Sequence, residues 1–179
     1  SIIRGKNVVY ELYSTSNVKE HEDISSLYMR ECIEKLLENP KSEYLFIFKA
    51  DINETFPPRV YYEILDPYNK TGLDLSVCQG LKANINLPLY YDNQIIENLM
   101  LLNKQNYDLF YKNDQFYYYI CAPFTSKDNT DMPLSDRRYE FFKFTEICAG
   151  NGDCDYIKND IILKKAQCEC KILPNISES

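Results

Sequence analysis

Four of the seven cysteines fall in the last quarter of the chain, as Cys148-x5-Cys154-x13-Cys168-x-Cys170. Thiols in such a cluster either converge on a metal or oxidise in pairs. A tetrahedral zinc site needs C-x2-C-like pairs or nearby histidine. This chain has no C-x2-C, and its only histidine, His21, lies far upstream. The spacing therefore predicts disulfides, with no metal and no other cofactor. Cys168 and Cys170 are two apart, so on a strand they point to the same face. Cys148 and Cys154 bracket AGNGD, a turn-rich segment within reach of that strand. The expected bridges are Cys148–Cys168 and Cys154–Cys170, with the crossed pairing as the alternative. Cys78 ends LDLSVC and Cys121 ends FYYYIC, and a bridge between them would close a long central loop. Cys32 is then the odd thiol, either unpaired or bonded to another chain. Swapped pairing among Cys32, Cys78 and Cys121 stays open.

Other reactive groups are sparse, and no catalytic residue is assigned. His21 sits in KEHEDI, a charged segment that reads as solvated surface. No G-x-S-x-G elbow, P-loop or G-x-G-x-x-G accompanies it. Asp128, Asp131 and Asp136 share one loop, but DNTDMPLSD lacks the D-x-D-x-D-G spacing of a calcium loop. Asp136-Arg137-Arg138 reads instead as a tie between that loop and the core. Three N-x-S/T sequons occur, at Asn53, Asn69 and Asn175. Each falls where a break, turn or tail is expected, which is the solvated context a glycan needs.

These residues must be held by ordinary elements. NVVYELY (7–13) reads as a strand. Asp23 is placed to cap a helix over Ile24–Glu38 that Pro40 ends, with Ile24, Tyr28, Cys32 and Leu36 on one ridge. YLFIFKADI (44–52) fits a buried strand, and VYYEILDP (60–67) fits its antiparallel partner. LDLSVC and ANINLPL read as two more strands. A second helix, Asn93–Lys104, follows a cap at Asp92. The aromatic stretch 107–124 reads as core packing, with a ligand-stacking surface as the alternative. The order lacks βαβ regularity. The fold class expected is α+β: an antiparallel β-rich core with two helices and a disulfide-stapled C-terminal hairpin. The core would span 1–142, with the cysteine-rich segment 143–179 packed on the same domain.

A net charge of −7 over 179 residues supplies no basic face for nucleic acid or anionic lipid. No run approaches the roughly 18 apolar residues of a membrane span, so no direct membrane insertion is expected. The opening SIIRGKNVVY lacks the apolar run of a signal peptide, which suggests a piece of a longer precursor, with a signal already removed as the alternative.

The succession LDLSVC, INLPL, FYYYICAPFTS, TDMPLSDRRYEFF, Cys-x5-Cys and CECKI resembles a cysteine-containing ectodomain module. It is similar to modules of large surface glycoproteins of ciliates and other protists, over roughly residues 28–172. The resemblance implies an extracellular or cell-surface location, beside other cysteine-rich modules, and attaches no activity. The expectation is a non-enzymatic structural or adhesive unit of a secreted or surface glycoprotein, bearing N-linked glycans. It would associate with itself or with neighbouring modules, for example by donating an edge strand such as NVVYELY, and build a filament or coat. A ligand-binding receptor ectodomain is the alternative, with Tyr117, Tyr118 and Tyr119 lining a pocket. A secreted hydrolase using paired carboxylates is the third reading.

Overall fold

The fold comes from a computed structural model, which describes residues 1–38, 42–54, 56–89, 93–108, 111, 113–121, 131–137, 143–160 and 162–174. Two four-stranded antiparallel sheets form its centre. The first contains β1 (Ile2–Arg4), β2 (Val8–Ser14), β4 (Phe46–Ile52) and β5 (Arg59–Leu65), in the order β1-β2-β4-β5. The second contains β3 (Ser26–Tyr28), β6 (Lys82–Pro88), β7 (Cys154–Asp160) and β8 (Lys165–Lys171), in the order β3-β6-β8-β7.

Alternation along the strands decides what faces inward. Ile47 pairs with Ile64 in the first sheet, and Ile85 pairs with Cys168 in the second. All four side chains join one buried cluster with Leu27, Ala83, Leu87, Ala166 and Cys170. The two sheets therefore face each other across a shared core. β8 lies inside the second sheet, between β6 and β7, so the cysteine-rich end of the chain contributes a central strand.

The helical content is smaller than the sequence suggests. α1 spans only Arg30–Leu36 and its N-cap, Met29, makes no side-chain cap bond. Asp23 does not cap it: its carboxylate accepts from the Arg4 guanidinium at 2.7 Å. Residues 26–28 go instead to β3, because Leu27 opposite Ile85 closes the core. LDLSVC is not a strand. Asp74 accepts from the Ser76 backbone N–H at 2.9 Å and caps a 3-10 turn over Leu75–Cys78. α2 spans Asn93–Lys104, as its periodicity predicts. The proposed cap Asp92 and the terminator Pro40 lie outside the described residues. NVVYELY forms a strand but not an edge, since β2 is paired with β1 on one side and β4 on the other.

A satellite cluster forms beside the main core. Phe116, Tyr117 and Leu102 are buried, and so is Arg137. The Arg137 guanidinium donates to the carbonyls of Met132 and Phe116, pairs with Asp131 at 3.3 Å, and stacks 4.8 Å from the Phe116 ring centroid. A buried cation is tolerable here because carbonyls, a carboxylate and a ring face all receive it. Arg137 thus ties its loop to the core, whereas Arg138 and Asp128 lie outside the described residues.

Candidate functional site

The covalent framework is the first candidate. Cys148 bonds Cys168 and Cys154 bonds Cys170, as strand periodicity predicts. Cys154 and Cys170 are register partners across β7 and β8, so their bridge crosses directly between neighbouring strands. The expected Cys78–Cys121 bridge does not form. Cys78 bonds Cys32, joining the 3-10 turn to α1. The turn buries Cys78 against the face of α1 that holds Cys32, with the two Cα atoms 5.1 Å apart. The odd thiol is therefore Cys121, which is exposed, and not Cys32. Disulfides of this number belong to an oxidising compartment. Among the described residues no helix is long and apolar enough to cross a membrane.

The second candidate is a buried polar network that sequence reading missed. Lys49 on β4 is 1% exposed. Its ammonium donates to the Ser25 carbonyl at 2.6 Å and the Ser25 hydroxyl at 2.9 Å, and pairs with Glu11 at 3.2 Å and Asp51 at 3.1 Å. Asp51 in turn accepts from the Ser25 backbone N–H and hydroxyl, each at 2.6 Å. Glu11, Lys49 and Asp51 come from the first sheet, and Ser25 directly precedes β3 of the second. The network is thus a polar clamp between the sheets. A serine hydroxyl beside a lysine can form a nucleophile–base pair. Here both oxygens of Asp51 hold Ser25, and Lys49 lies between two carboxylates, so neither group is free for that chemistry.

A second buried lysine extends the clamp. Lys165 on β8 pairs with Glu20 at 2.9 Å and donates to the Ser26 hydroxyl. Burial raises the Glu20 pKa, but the hydrogen bonds from Lys165 and Ser26 outweigh it and hold the carboxyl below its usual range. The Tyr13 phenol is pushed well above its usual value by burial, and further by Glu11, Asp51 and Glu20. His21 is half-buried rather than a solvated bystander, with Nε2 3.9 Å from a Glu11 carboxylate oxygen.

The third candidate is an apolar cavity of about 430 Å³, near the ends of β4, β5 and β6. Phe56, Pro58, Val60, Leu87, Leu89 and Ile147 line it, with Asp51, Asn53, Glu54 and Arg59 also on its wall. Gly150 and Asn151 brace the neighbouring chain. Asn151 accepts from Val60 N–H at 2.6 Å and donates to the Pro58 carbonyl at 3.2 Å. A Cβ on Gly150 would lie 2.5 Å from the Pro58 carbonyl oxygen, so only glycine permits this approach. None of the described residues of the aromatic stretch lines this cavity. Phe116 and Tyr117 are core, and Tyr118 and Tyr119 are exposed.

Of the three sequons, Asn53 follows β4 and Asn69 sits in the turn after β5, both exposed. Asn175 lies outside the described residues. No family model, no curated protein and no solved structure matches this chain.

Proposed function

We propose that the chain is a structural module of a secreted or cell-surface glycoprotein, one that performs no catalysis and associates with copies of itself or with neighbouring modules. The three intrachain disulfides carry this reading. All of them are built into the shared core, and a cytosolic protein would not keep such bonds. The resemblance to surface modules of ciliates and other protists supports the same placement, as do the exposed sequon residues Asn53 and Asn69.

Intact mass of the protein from a eukaryotic secretory host tests this. Reduction should add two hydrogens for each of three bridges, and enzymatic deglycosylation should remove mass from at least one of Asn53, Asn69 and Asn175. Seven freely labelled thiols in the folded, unreduced protein would end the assignment.

The apolar cavity beside Phe56 favours a second reading, a receptor ectodomain for a small apolar ligand. Such a ligand would raise the melting temperature of the wild type and not that of Phe56→Arg. No effect in the wild type across a panel of apolar compounds would remove this reading.

A further inference from the structure

The first sheet buries one face in the core, and among the described residues its other face is only partly covered. Strand registers place Ile3, Tyr10, Ala50 and Tyr61 in one outward row, and Leu12, Phe48 and Glu63 in the next. Ile3 is 68% exposed, Tyr61 48%, Tyr10 41% and Leu12 40%. Tyr10 stacks on Phe48 at 6.0 Å between centroids, and Phe48 meets Tyr61 edge-on at 6.5 Å. These diagonal contacts fix a ladder of rings above Ala50. No described element packs over it.

We infer that this face is where two copies of the chain associate, sheet against sheet about a two-fold axis. The inference rests on the self-associating reading above and names the surface that serves it.

Charge selects the occupant. Each chain carries −7, so two copies repel wherever their acidic surfaces meet. The outward positions of the first sheet carry only Arg59 and Glu63, whose charges cancel. The Tyr61 hydroxyl donates to Glu63 and covers part of that carboxylate. A second copy presents the same neutral, apolar surface, and such sheets pack about 10 Å apart with interdigitating side chains.

Size sets the strength. Strands of this length and spacing give a footprint of about 400 Å². A standard interface buries about 800 Å² of accessible surface per partner. The contact is therefore a weak, reversible dimer.

Sedimentation equilibrium of the oxidised protein, from about 1 μM to about 1 mM, tests this. The wild type should show a reversible monomer–dimer equilibrium. Leu12→Lys and Ile3→Lys should each weaken it at least about tenfold, because the dimer would bury an unpaired charge. Ile3 lies on a short, exposed strand, so its variant keeps the test valid if Leu12→Lys fails to fold. Tyr118→Lys, exposed but outside the sheet, should change nothing. Self-association that both sheet variants leave intact would overturn the surface while sparing the self-associating reading. A wild type that stays monomeric throughout would overturn both.

Discussion

Lys49 joins the two sheets through a buried polar contact. Its ammonium is buried between Glu11 and Asp51, and also holds Ser25. Replacing it with Met should leave two carboxylates unpaired in the interior and cost about 3–5 kcal/mol. Urea denaturation at neutral pH measures this, and a loss below about 1 kcal/mol would mean the network contributes little as a clamp. Glu20 gives the pH dependence. Its folded pKa lies below the unfolded value, so its contribution is present above the usual carboxylate value of 4.5 and is lost as pH falls through the folded value. Glu20→Gln should flatten the stability curve in that acid window and leave its slope near neutrality unchanged. Equal slopes in the acid window for wild type and variant would show that Lys165 and Ser26 do not hold the carboxylate. Lys49 was illegible in the sequence for a physical reason. Phe46, Phe48, Ala50 and Ile52 occupy the outer face of β4, so both faces of the strand carry apolar residues and the alternation is masked. The surviving signal was Lys49-x-Asp51, a polar pair at strand period inside an apolar run. That the four C-terminal cysteines bridge was legible because Cys168 and Cys170 share one face of β8, whereas the choice over the crossed pairing is made by the register of Cys154 opposite Cys170.

Elements show where sequence patterns compete. The α+β class, the antiparallel β4–β5 pair and α2 followed from periodicity. The Cys32–Cys78 bridge did not, because a 3-10 turn capped by Asp74 gives no periodic signal over four residues. That bridge encloses a sequence separation of 46, against 16 for Cys154–Cys170. On the chain-entropy account it restricts the unfolded state by about 1 kcal/mol more. Cys32→Ala/Cys78→Ala should therefore lower stability more than Cys154→Ala/Cys170→Ala, with Cys121→Ser near neutral. Denaturation midpoints of the three variants give the order, and a reversed order would mean that packing in the folded state dominates. The described strand edges are poor templates for edge donation. β1 and β3 have three residues each. On β5, Asn151 occupies the Val60 N–H, and Leu73 N–H occupies the Ile64 carbonyl. β7 is irregular between Tyr156 and Lys158 and carries Asp155, Lys158 and Asp160. Short, plugged or bulged and charged edges resist pairing with another chain.

At the scale of the molecule, the face and the edges imply different assemblies. Edge pairing extends into open filaments, whereas a two-fold contact between sheet faces closes after two copies. A coat or filament built from this chain would then need a second contact. Net charge provides a further discriminating measurement. If the dimer forms through the neutral face of the first sheet, the remaining electrostatics are repulsive, from −7 on each partner. Screening shortens from about 30 Å at 0.01 M salt to about 10 Å at 0.1 M, and so removes much of that repulsion. Dimerisation should strengthen as sodium chloride rises over this range, the opposite of a contact held by ion pairs. Sedimentation across a salt series reads the sign directly. Association that weakens with added salt would place the contact among the chain's charged groups, away from the Tyr10–Phe48–Tyr61 ladder.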